Sequence, residues 1–243
     1  MTVQATLSDA SGNTINISGS YASTVTVGCV AVTGSSDPTT ALVNVPGVPS
    51  HAGREVQLPG TCTVAEACLA GFDFSYNTTD HEFQAAHATV GLDQGISGPG
   101  TALVTATADM RDASGHHAVN STIDAGVLAS TDTPPPFMVQ QVTAYNYAPV
   151  PPLAFSSPVG QAIVLIQGFN VQYASGEHNV HTIQVGCGEP GQPSSQIQSV
   201  SGSNVTLGQC WAYTDNYTGD EEDNALSTVD LLVIAVPPAP GRS

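Results

Sequence analysis

One short signature occurs three times, and it constrains this chain more than any other feature. Near the end, Ser227-Thr228-Val229-Asp230 runs into Leu231-Leu232-Val233-Ile234-Ala235. In the middle, Ser121-Thr122-Ile123-Asp124 runs into Ala125-Gly126-Val127-Leu128-Ala129. Near the start, Ser23-Thr24-Val25-Thr26 runs into Val27-Gly28-Cys29-Val30-Ala31. The spacing from Ser to the final Ala is the same each time. A chain built this way is an array of one β-rich unit, and this one begins halfway through a unit.

Other segments repeat around the signature. Gly71-Phe72-Asp73-Phe74-Ser75-Tyr76 opens the middle unit, and Gly168-Phe169-Asn170-Val171-Gln172-Tyr173 opens the last. Both alternate, and a period of two marks a strand with one buried face. Each leads into a polar turn and then a second strand, near 85–92 and 180–187. A later strand, 102–110, matches 205–213 and enters an acidic turn at Asp112 or Asp215. At the start of the chain, Asp9-Ala10-Ser11-Gly12 copies Asp112-Ala113-Ser114-Gly115 residue for residue. The closing strand of the last unit is apolar on both faces, which fits a central buried strand.

The predicted fold is therefore all-β: tandem antiparallel β-sandwich modules of the jelly-roll or Ig-like kind, with an N-terminal half-repeat. The predicted division is a half-repeat at 1–32, a Pro-rich linker at 33–67 and a β-sandwich unit at 68–130. A second Pro-rich linker follows at 131–162, then a second unit at 163–238 and a tail at 239–243. Prolines 46, 49, 59, 134–136, 149, 151 and 152 mark the linkers, as spacers or as chain lying along a sheet edge. A half-unit cannot bury its apolar face alone. Residues 1–32 are expected either to dock on their own middle unit or to be completed by strands of a neighbouring copy.

Composition narrows the function. The 243 residues hold 24 Gly and 17 Pro, which suits many turns. Only 9% are charged, against about 25% in ordinary domains. Arg54, Arg111 and Arg242 are the only fixed cations, and the net charge is −17. Phosphate binding needs clustered Lys and Arg, so nucleic acid is excluded as a partner. An anionic membrane surface is disfavoured for the same reason. No stretch reaches the roughly 18 apolar residues of a membrane span, so no membrane insertion is expected. Met1-Thr2-Val3-Gln4 has neither a basic region nor an apolar stretch, so no signal peptide is visible.

There are five cysteines. Cys62 and Cys68 could close a local loop, and Cys187 and Cys210 could link two strands of the last unit. Cys29 is then left over. Buried free thiols are the alternative. None has C-x-x-C spacing, which argues against structural zinc.

The order of features resembles the H-type lectin module, in which an aromatic-bearing strand opens a six-stranded sandwich and an apolar strand ending in Ala closes it. Phe169 to Tyr173 and Val229 to Ala235 carry the resemblance, with Phe72 to Tyr76 and Ile123 to Ala129 in the middle unit. It covers roughly two-thirds of the chain. Members of that family are often sugar-binding trimers, and similar modules occur in phage tail fibres. The tryptophan-bearing penultimate strand is absent from the middle unit, so no sugar-binding residues are carried over.

Several constellations are candidates for chemistry. Asp215, Asp220, Glu221, Glu222 and Asp223 form the densest acidic cluster. Hard oxygen ligands in a loop suit calcium, and Asp215, Asp220 and Asp223 are the residues expected to hold it. The bland reading is a solvated acidic loop, with no cofactor at all. Trp211, Tyr213 and Tyr217 lie nearby and could stack on a sugar ring, although core packing is the commoner fate of such rings. His81 and His178 occupy matching turns, each after an acidic residue, and are read as turn histidines bonded locally. His116 and His117 are adjacent and cannot easily share one ion. Tyr145-Asn146-Tyr147 lies outside the repeated core and is a candidate contact surface. Five Asn-x-Ser/Thr sequons occur, at Asn16, Asn77, Asn120, Asn204 and Asn216.

No nucleophile elbow, P-loop, zincin helix or dinucleotide fingerprint is present, so the chain is not expected to be an enzyme. The expectation is a structural, self-assembling subunit of a virion, tail fibre or extracellular filament, working as a homo-oligomer or with other structural subunits. The alternative is a soluble lectin or adhesin that binds glycans.

Overall fold

A computed structural model describes residues 39–76, 81–94, 99–176, 180–188, 195–216 and 226–239. The half-repeat at 1–32 lies outside the described residues. Those described form strands and turns, with no α-helix. The strands are β1 (Thr40–Pro49), β2 (Gly53–Gln57), β3 (Val64–Asp73), β4 (Ala85–Gln94), β5 (Thr101–Arg111), β6 (Thr122–Ser130) and β7 (Met138–Tyr145). Then come β8 (Leu153–Ala154), β9 (Gln161–Gln172), β10 (Val180–Cys187), β11 (Ile197–Ser201), β12 (Asn204–Leu207), β13 (Cys210–Asn216) and β14 (Thr228–Val236). The fold is all-β, in several antiparallel sheets, as the alternating pattern predicts. No helix of the described residues is long and apolar enough to cross a membrane.

The two signature strands among the described residues are both central. β6 lies between β1 and β3, and β14 lies between β7 and β9. Their registers match. Phe72 faces Ile123 and Gly71 faces Asp124. Likewise Phe169 faces Val229 and Gly168 faces Asp230. Both pairs carry a bulge at the same place, skipping Ala70 in β3 and Gln167 in β9. A bulge bends the strand and raises its twist, so the two sheets curve at equivalent positions.

The largest sheet has six strands, in the order β2-β5-β4-β9-β14-β7. It curls around the three-stranded sheet β1-β6-β3. Alternation along β6 sends Ile123, Ala125, Val127 and Ala129 to one face, with Ala86, Ala88, Val104 and Ala106 of the large sheet in the same core. Leu128 points the other way and packs with Leu232 and Ile234 of β14. β14 is therefore buried on both faces, and Leu231 to Ala235 are all at most 2% exposed. On the far side of β14, Val205, Leu207 and Ala212 extend the core into the outer strands.

The two Pro-rich segments contain paired strands, and an edge position is the role they have. β1 and β7 are edge strands of their sheets. Pro46 falls where the β1·β6 register shifts between Val45 and Val48, so no ladder N–H is asked of it. Gly47 beside it has φ +59°, which only glycine adopts freely, and its N–H donates to Asp124 Oδ1 at 2.7 Å. In the second segment the prolines flank β7 rather than interrupt it.

Cys187 and Cys210 face one another across β10 and β13 and form a disulfide. Cys62 and Cys68 are free thiols, each near a carbonyl oxygen, Gly60 and Gly126 respectively. Burial pushes both thiols up. Cys29 lies outside the described residues.

Candidate functional site

The hairpin after β5 builds the densest ionisable cluster. Gly115, at φ +86°, lets the chain turn so that the His116 carbonyl accepts from the Asp112 N–H at 3.1 Å. The Asp112 carboxylate is buried beneath this turn. Its Oδ1 accepts from the His116 N–H at 2.8 Å. Its Oδ2 lies 2.8 Å from Nδ1 of His116 and 2.8 Å from Nδ1 of His81. His81 arrives from the segment that precedes β4 and packs on Tyr76, with ring centroids 4.4 Å apart. Burial raises the Asp112 carboxyl, but the His116 N–H, the two imidazoles and the charge of His116 outweigh it. The group is held well below the usual carboxylate range.

His81, Asp112 and His116 thus place three ligand atoms within 4.8 Å of one another. Two imidazole nitrogens and one carboxylate oxygen make a donor set for a transition ion rather than for calcium. Both Nδ1 atoms already sit at hydrogen-bonding distance from the carboxylate, so the cluster is satisfied as a pinned turn. In the sequence these residues stand apart. The Asp112-to-His116 spacing was visible as a local turn signal, but His81 is 31 residues away and only the fold brings it in.

His117 points to the opposite face, as alternation requires. Its Nδ1 lies 2.8 and 3.0 Å from the two Asp109 oxygens. Two open grooves, of about 660 and about 230 Å3, share this pair. The larger is lined by Ser50, His51 and Asn120 among others. The smaller runs across β4, β5 and β9 and is lined by His87, Arg111, Asn170 and Gln172. Burial pushes the His87 imidazole down, against the opposing pull of Asp230 and Asp109. The surface offers hydrogen bonds to a polar ligand.

The residues singled out for ligands are placed differently. Trp211 is buried at 8% exposure and its ring lies over Gly186, where an added Cβ would stand 3.2 Å from Trp211 Cζ2. Little of that ring is open to a sugar. Tyr213 is half-buried in the same strand. Asp215 stands opposite Thr182, one residue before the end of the β13 ladder. Tyr217, Asp220, Asp223 and His178 lie outside the described residues. Tyr145 and Tyr147 are 54% and 45% exposed, flanking a buried Asn146 whose Oδ1 accepts from the Ala212 N–H at 3.0 Å.

These features define an all-β protein with polar surface clusters. In comparisons with protein-family models, curated proteins and solved structures, the chain matches none.

The Asp112 cluster predicts an acid-sensitive fold. A carboxyl depressed in the folded state stabilises above its unfolded value, near 3.8, and that contribution is lost as pH falls below it toward the folded value. Asp112→Asn is expected to lower the melting temperature at neutral pH and to flatten the loss of stability below pH 4. Urea melts of both proteins across acid pH check this. Parallel acid limbs would exclude Asp112 as the source.

Proposed function

We propose that this protein is a structural, self-assembling subunit of a surface assembly, such as a virion, tail fibre or extracellular filament, built from tandem antiparallel β-sandwich units. The observation that carries the reading is the pairing of β4 with β9, Ala85 opposite Gln172 through Thr89 opposite Gly168. On this reading one unit continues into the next as a single sheet. The matched registers and bulges of β3·β6 and β9·β14 support a common plan for the two units. Units that join edge to edge satisfy the backbone groups an isolated sandwich would expose, and the same geometry extends to further units.

Two further features agree. Low charge density and a face carrying Tyr145 and Tyr147 suit contact with other subunits. A disulfide between Cys187 and Cys210 suits an oxidising exterior. Electron microscopy of the purified chain, with light scattering on the same sample, tests the proposal. Rings, trimers or filaments are expected. A uniform monomer near 24.7 kDa at every concentration would refute it.

A further inference from the structure

We infer that the chain carries two halves of a second such junction and that they join different molecules: β10 of one copy pairs antiparallel with β3 of the next. The expected register sets Gly71 opposite Cys187 and Phe74 opposite Gln184. This rests on the assembly reading above and names its interface.

The template is internal. In the first unit Thr89 faces Thr107, five residues before Asp112. In the second, Cys187 faces Cys210, five residues before Asp215. So β10 stands on β13 as β4 stands on β5. Likewise β3 stands on β6 as β9 stands on β14, with the shared bulge fixing the correspondence of Gly71 with Gly168. Inside the chain β4 and β9 pair with each other. Their counterparts, β10 and β3, are each left with one edge that carries no described ladder; on β3 the Ala67 carbonyl accepts from Gln167 Nε2 of β9, and the edge beyond it, at Gly71 to Asp73, is the part left open. The two open edges are the two sides of one known joint.

Two side-chain positions show what is missing at β3. Phe169 is 1% exposed, whereas Phe72, at the same register position, is 46% exposed. Phe72 keeps contact with Phe74 and Phe169 but lacks the neighbouring strand that encloses its copy. The glycines say the same. A Cβ on Gly168 would stand 2.7 Å from the Ala88 carbonyl oxygen, so glycine is required there by the neighbouring strand. A Cβ on Gly71 would meet only Asp124, at 3.4 Å, an ordinary contact. Nothing among the described residues needs Gly71, but a strand seated as β4 seats on β9 would need it.

The occupant is a second copy. The described strands hold one further counterpart of β4 with an open edge, and within the chain it does not meet β3. β10 is that counterpart. Pairing β10 with β3 of the next molecule uses different patches on the two partners. Such a head-to-tail contact repeats, giving a ring if it closes and a filament if it does not.

The test uses the full chain. Wild-type protein is expected to sediment as a concentration-dependent series of oligomers. Gly71→Val keeps the monomer's thermal transition and weakens association at least about tenfold, a shift sedimentation resolves as a change in Kd. Mixing Asp73→Cys molecules with Val185→Cys molecules under mild oxidation yields a cross-linked dimer that neither gives alone, which reads the register even where Gly71→Val folds poorly. Oligomers that survive Gly71→Val and give no cross-link would overturn this interface while leaving the assembly reading standing. A wild-type monomer up to about 1 mM would overturn both. A monomer that Gly71→Val destabilises would assign the edge to a segment of the same chain, and also overturns the inference.

Discussion

Phe169→Ala should cost about 4 kcal/mol of folding stability, while Phe72→Ala should cost about 1 kcal/mol in the dissociated chain. The two rings occupy copied positions, facing Val229 and Ile123 on the two signature strands. They also touch, edge to face, with centroids 5.1 Å apart. The difference is cover. Phe169 is enclosed because β4 runs beside β9, and Ala88 lies opposite it in the ladder. Removing it leaves a void among packed layers that cannot collapse without moving a strand. Phe72 loses a partial contact with Phe74, 5.0 Å away, and its half of the Phe169 pair. Urea denaturation of both variants at low protein concentration measures the gap. Equal losses would mean that the β4·β9 junction is not what buries Phe169. At concentrations where copies associate, the Phe72 deficit should grow, since binding to the folded state adds to its stability.

This contrast also shows where sequence reading succeeds and where it stops. The alternation at Phe72-x-Phe74 and at Phe169-x-Val171 is the same, and it identifies strands in both places. Burial is not the same, because burial depends on which strand arrives alongside, and that is a non-local choice. The signature strands were legible for a stronger reason. Leu231 to Ala235 form an unbroken apolar run, and only a strand with a layer on each face accepts one. The edge strands β1 and β2 were hidden among prolines, because a bulge at Pro46 lets a proline-bearing segment pair. Residues 85–92 read as a strand, but the alanines of β4 carry little periodic signal, and its second partner is a non-local choice. The site divides in the same way. Asp112 and His116 sit in one turn whose glycine announces it, whereas His81 joins through the fold. Trp211 looked available beside an acidic loop, but the strand that carries it turns the ring inward over Gly186.

Gly168→Val is the substitution expected to damage the chain most through backbone geometry rather than lost contacts. Its Cβ would stand 2.7 Å from the Ala88 carbonyl oxygen and 2.8 Å from Thr89 Cγ2. A flexible side-chain end could yield, but the carbonyl belongs to a strand paired on both sides, to β5 and to β9. Relief requires β4 and β9 to part. Their ladder runs from Ala85 to Thr89, and each backbone hydrogen bond lost there costs about 1 kcal/mol net. Strain and opening together should exceed about 3 kcal/mol. The manner of unfolding should change too. With the ladder intact the two parts of the chain share one sheet and should melt together. With it sprung, two transitions are expected by calorimetry, and amides of β4 should exchange far faster than those of β14. Gly71→Val places the same side chain at the copied position without a carbonyl in its way, so it controls for the intrinsic effect of valine in this strand. If Gly168→Val melts like wild type in one transition, the close approach of β4 is not what requires a glycine at this position, and the shared sheet does not couple the two halves.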